Sequence, residues 1–267
     1  MVSSTTIISM KISAFICFLF PIIVLYYFKK KENINLKPFF IGMLVFFVFT
    51  QILEKQLHMI VIIKDLASNP ILFSIYGVLA AGIFEEIGRF IAFKTILKNN
   101  HQWKDGIAYG IGHGGIEAIL IGTITNIQYI IYSNLINNGS FDTVLGSKVP
   151  TSQIAQLNQL KELLINSNSS TIMLGILERI FAFGIQIALT MIVLYAIKSR
   201  KNLYLFITIL IHAFIDTPVV LYQMKIIPNI FIVESIIAIF FVIALLFLYK
   251  FKKIFENNTI TQYPLSK

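Results

Sequence analysis

Apolar residues run along this chain in seven long stretches, at about 7–28, 39–62, 71–97, 106–133, 171–197, 203–223 and 228–249. A helix needs about 20 mostly apolar residues to cross the hydrocarbon of a bilayer, so each stretch predicts a transmembrane helix. The connections are short and polar, except one of about 134–170 between the fourth and fifth stretches. Within it Ile154, Leu157, Leu160, Leu163 and Leu164 recur at helical spacing, which predicts a short amphipathic helix on the membrane surface. The expected fold class is all-α: a polytopic bundle of about seven transmembrane helices forming one integral membrane domain over 1–267, with no soluble domain or internal repeat. The first stretch reads as a retained helix. It is long, its basic cluster follows it, and no small-residue cleavage site precedes its end.

Composition agrees. Of 267 residues, 57% are hydrophobic and only 13% charged, against roughly 25% charged in a soluble domain, and mean hydropathy is +0.79. Too little polar surface remains to cover a water-facing globule. The net charge of +9 could suggest nucleic acid, but the positions of the lysines indicate membrane topology instead. Lys29, Lys30, Lys31 and Lys37, then Lys94, Lys98 and Lys104, then Lys198, Arg200 and Lys201, then Lys250, Lys252 and Lys253 fall in one set of connections. The alternate set holds Lys64, Lys148, Lys161 and Lys225. Basic loops stay in the cytoplasm, so the N-terminus is expected outside, the C-terminus in the cytoplasm and the 134–170 connection outside. The expected location is a cell membrane, the plasma membrane of a bacterium. The single cysteine, Cys17, excludes an internal disulfide and a cysteine-rich metal site.

Seven of the thirteen acidic residues fall inside the predicted spans: Glu54, Glu85, Glu86, Glu117, Glu178, Asp216 and Glu234. An ionised residue at a helix centre costs roughly 2.5–3.5 kcal/mol on insertion scales, and such residues face the bundle interior or each other. The third span carries Glu85, Glu86 and Arg89, so the arginine reaches back to either carboxylate at three- and four-residue spacing. One arginine neutralises one carboxylate and leaves the other for chemistry. The plainer alternative is an ion pair that only helps the helix insert. The fourth span carries His113 and Glu117 four apart, on a face smoothed by Gly106, Gly110 and Gly114, a spacing that admits a close neighbour. The sixth carries His212 and Asp216, also four apart, where the acid could orient the ring. Glu178, beside Arg179, suits a supporting role. Glu54, Lys55 and His58 fit a solvated helix end, and Glu234 the interface.

Counted from the cytoplasmic ends, Glu85, His113 and His212 lie about 12, 8 and 10 residues in, or roughly 18, 12 and 15 Å deep. Three helices thus bring their polar groups to one layer. Two histidines and a carboxylate suit a hydrolytic zinc site, so Glu85, His113 and His212 are candidate ligands for Zn2+. The same groups allow a metal-free route in which Glu85 and His113 deprotonate water while His212 and Asp216 donate to the oxyanion. No HExxH motif, serine pairing or second membrane aspartate supports another protease design.

The glutamate pair with Arg89, Tyr109 four before His113, and His212 four before Asp216 resemble the type II CAAX-prenyl endopeptidases and their CPBP/ABI and PrsW relatives. More specifically, Glu85 to Arg89 and His113 to Ala118 are similar to segments of the YhfC-type intramembrane metalloproteases. The resemblance implies an intramembrane peptidase acting on a membrane-associated peptide or protein, with Glu85, Glu86, His113 and His212 in the catalytic set and Arg89, Glu117, Asp216 and Glu178 in support. Asp216 stands where the CAAX enzymes commonly carry asparagine, and Arg89 is one residue nearer the pair. Two other readings stand beside it: a noncatalytic scaffold or immunity-type accessory, as in the gamma-secretase subunit of the same superfamily, and a proton-coupled transporter.

Overall fold

A computed structural model describes residues 1–63 and 69–256. Among them every regular element is helical, and seven helices are long and apolar enough to span a membrane. In chain order they are α1 (Ser4–Glu32), α2 (Leu36–Val61), α3 (Pro70–Lys94), α4 (Trp103–Asn137), α5 (Ser169–Lys198), α6 (Leu203–Gln223) and α7 (Ile230–Phe255). These are the seven spans expected from the apolar stretches, with their ends within a few residues of the expected ones. Lys64, one of the lysines used to assign topology, lies outside the described residues.

Local chemistry sets the boundaries. The Asn35 side chain accepts from the Lys37 amide at the start of α2. Asn69 does the same for Ile71 and Leu72 at the start of α3, with Pro70 in the first turn, where a missing N–H costs nothing. Lysines occupy the last turns of α1, α3, α5 and α7, where a cation offsets the negative helix end. Large apolar side chains such as Phe15, Phe40, Phe214, Leu246 and Tyr249 are exposed on the spans. Such a surface requires lipid around it.

The chain resolves into two compact units. One comprises Met1–Ile22 and Glu117–Ile180. In it Asn137 bonds Val2 through both amide atoms, at 2.8 and 2.9 Å, and Thr123 donates to the Ala14 carbonyl at 3.0 Å. The predicted amphipathic helix forms at Ile154–Asn166. Its Leu164 is fully buried in a cluster with Val2 and Met10, and Leu160 packs against that cluster.

The other unit comprises Ile23–Ile116 and Phe181–Lys267. Its centre is the glycine-rich start of α4. A methyl group on Gly106, Gly110 or Gly114 would collide with Met191, Ile187 or Phe183 of α5, and one on Gly112 with the Phe39 carbonyl of α2. Gly42 of α2 faces Tyr109 in the same way. Backbones can approach this closely only where side chains are absent, so α4 is clasped on two sides. Elsewhere α3 pairs with α6, Gly82 lying against Ile209, and α7 covers α5 through Val233, Ile237 and Ala244. The middle of α2, Phe47–Glu54, is wound as a π-helix.

Candidate active site

All four catalytic candidates lie in the second unit, and α3 supplies two of them. Glu85, Glu86 and Arg89 share one face by their three- and four-residue spacing. Arg89 is wholly buried; its Nη1 lies 3.2 Å from Glu86 Oε2 and its Nη2 3.3 Å from Glu85 Oε2. The expected ion pair is present, and one guanidinium serves both carboxylates.

Groups from three further helices meet the same carboxylate. Glu85 Oε2 lies 2.8 Å from His113 Nε2 of α4, 3.1 Å from the Gln186 amide of α5 and 3.9 Å from His212 Nε2 of α6. The layer inferred from depth thus closes on a single oxygen atom. Gln186 was not among the expected residues; an uncharged amide in an apolar run gives no charge signal, although its polarity there asks for a partner.

The contacts at His113 constrain its protons. A guanidinium only donates, and His113 Nε2 lies 2.7 Å from Arg89 Nη2 and 2.8 Å from Glu85 Oε2, so the tautomer decides whether Nε2 accepts from the one or donates to the other, with the opposite role left to Nδ1. That buried Nδ1 has no hydrogen-bond partner among the described residues, and neither has Arg89 Nε. Arg89 Nη2 has two hydrogens for three neighbours: His113, Glu85 and the Gln186 carbonyl oxygen. A network built only for packing would satisfy every member. This one is over-subscribed at Nη2 and orphaned at Nδ1. Phe46 meets the His113 ring edge-on and Tyr109 stacks on it, which fixes its plane.

His212 is held differently from the expectation. Its Nδ1 lies 2.6 Å from Glu86 Oε1, so Glu86 orients the ring, while Asp216 Oδ2 stands 3.6 Å from Nε2, beyond hydrogen-bond range. Glu117 and Glu178 both bond Arg179 in the first unit, Glu117 at 3.2 Å. Two further expectations fail. Glu54, read as a solvated end, is 8% exposed, and Glu234, read as interfacial, is 7% exposed. Charge pattern alone did not show which face of α2 or α7 turns inward.

A family model described as "YhfC intramembrane metalloprotease" matches residues 16–237. The chain belongs to the YhfC family. The "Uncharacterized membrane protein YhfC" of Bacillus subtilis (strain 168) is 42% identical over 225 residues, covering 82% of this chain and 86% of that one. With the seven apolar helices, this makes the chain a multi-pass bacterial membrane protein. No solved structure matches it.

The YhfC description raises the question of a metal. Glu85 and His113 bring a carboxylate oxygen and an imidazole nitrogen within 2.8 Å of each other, two donors of a candidate metal site. Carboxylate oxygens and an imidazole suit zinc and other divalent ions. The charge balance also fits: two buried carboxylates, Glu85 and Glu86, face one guanidinium.

Proposed function

We propose that this YhfC protein is an intramembrane peptidase in which Glu85 is the base or metal-binding carboxylate. The observation that carries the reading is the convergence of His113, Gln186, Arg89 and His212 on Glu85 Oε2. The resemblance of the Glu85–Arg89, His113 and His212 motifs to those of the type II CAAX-prenyl endopeptidases supports the reading. The N-terminus is assigned outside and the C-terminus to the cytoplasm, with the site in the cytoplasmic half of one integral domain and the 134–170 connection outside.

Hydrolysis needs a base to take a proton from water, donors for the oxyanion, and an acid for the leaving amine. Glu85 takes the proton. Gln186 and Arg89 hold its carboxylate in place, and His113 positions the water beside it. His212, anchored to Glu86 through Nδ1, turns Nε2 toward Glu85 and Asp216; there it receives the proton that Glu85 took from water, and as the imidazolium it donates to the oxyanion and then gives that proton to the nitrogen. When bound, Zn2+ would polarise the carbonyl and lower the pKa of its water, and Glu85, His113 and His212 would hold it. The substrate class is a membrane-associated peptide or protein.

A scaffold reading is favoured by one observation: Glu85, Glu86, Arg89 and His113 are buried and bonded to one another. The unpaired His113 Nδ1 and Arg89 Nε weigh against it, because a structural network loses stability for each orphaned group. Purified protein in lipid vesicles decides between them when incubated with a membrane-spanning peptide, with and without added Zn2+. The peptidase reading predicts cleavage by the protein alone. Intact peptide in both conditions would leave the scaffold.

A further inference from the structure

Glu54, His58 and Tyr76 have no part in the mechanism above, yet they form a continuous polar chain. His58 Nε2 lies 3.3 Å from Glu54 Oε1, and its Nδ1 lies 2.6 Å from the Tyr76 hydroxyl of α3. Exposure falls along it: the His58 side chain is 34% exposed in the last turn of α2, and that of Glu54 is 10% exposed. A buried glutamate in a span is costly, and here it sits at the end of the π-helical stretch Phe47–Glu54. Such windings turn side chains off the regular helical register and gather at functional sites.

Register shows where the chain leads. Phe49 packs on Gly88 and His58 on Tyr76, so α2 and α3 run antiparallel with Glu54 level with about residue 80 of α3. Glu85 is then about five residues further along, roughly 7 Å of helical rise. On α6, Gly82 against Ile209 and Ser74 against Met224 bring Asp216 to nearly the level of Glu54.

We propose that Tyr76, His58 and Glu54 form a proton relay that ends at the buried Glu54 carboxylate, about one helical turn short of Glu85, and is entered from the end of α2 and α3 opposite the lysine-bearing turn of α3. A proton reaching the Tyr76 hydroxyl passes to His58 Nδ1 as the Nε2 proton leaves for Glu54 Oε1. Each transfer breaks one O–H or N–H bond and makes another, and the reverse sequence returns the proton. The side chains of Arg89 and His113 are wholly buried and that of Glu85 is 10% exposed, so acid–base groups there need such a route to re-equilibrate. The inference rests on the peptidase reading only in taking Glu85 as the base.

The test follows the infrared carboxyl band that Glu54→Gln removes, in the full chain in lipid vesicles, as solvent is changed to D2O. His58→Phe is expected to slow exchange of that band about 100-fold or more, the scale of a lost acid–base group, and Tyr76→Phe to slow it in the same direction. Tyr76→Phe deletes one oxygen and serves should His58→Phe misfold. Unchanged exchange in the folded variants overturns the path, as does the absence of any carboxyl band assignable to Glu54. In a cleavage assay Glu54→Gln lowers kcat and leaves KM unchanged. Wild-type protein that cleaves nothing counts against the Glu85 reading, while the exchange measurement still decides the path.

Discussion

Glu86 and His212 meet across 2.6 Å between α3 and α6, and this bond fixes the tautomer of the imidazole. Glu86 also accepts from Arg89 and takes the Nδ1 proton of His212. Nε2 is left facing Glu85 and Asp216. Replacing the acid changes this without emptying the space. Glu86→Gln is expected to lower kcat by about 100-fold, within the range for a misplaced acid–base group. A nitrogen-15 NMR spectrum of labelled His212 should show the tautomer balance shifting toward Nε2–H. An unchanged spectrum would assign the orientation to Asp216.

Arg89 carries the structural load. Removing one partner of a buried ion pair costs about 3–5 kcal/mol, because the other charge stays buried alone. Arg89→Leu leaves Glu85 and Glu86 without their guanidinium. It should lower the thermal midpoint in detergent far more than Arg89→Leu combined with Glu85→Gln and Glu86→Gln. Equal losses would mean that the charges are not the source of the instability.

Gly112 tests the clasp around α4. A Cβ there would lie 1.9 Å from the Phe39 carbonyl oxygen, a contact that only backbone movement relieves. Gly112→Ala should destabilise the protein by about 1–3 kcal/mol and displace His113, the next residue. Gly77, where a Cβ meets nothing within 4 Å, is the control, and Gly77→Ala should be neutral in both stability and turnover.

Much of this architecture was legible in the sequence. Apolar runs fixed seven helices because lipid tolerates little else, and the spacing of Glu85, Glu86 and Arg89 predicted their contacts because an α-helix has one pitch. Depth counting brought Glu85, His113 and His212 to one layer. What it could not supply was rotation. Glu54 and Glu234 turn inward because of the way α2 and α7 are rolled against their neighbours. In α2 the π-helical winding at Phe47–Glu54 breaks the register that a sequence reading assumes. Gln186 escaped for another reason: it carries no charge, and its contribution is visible only through its bond to Glu85.

Turnover by Glu85→Gln protein, reconstituted in lipid vesicles with a membrane-spanning peptide, tests the central claim most directly. The substitution keeps the shape and the bond from Arg89 while removing the proton acceptor. The expected result is a loss of about 100- to 10,000-fold in kcat with insertion and thermal midpoint close to wild type. Wild-type rates from the folded variant would contradict the account.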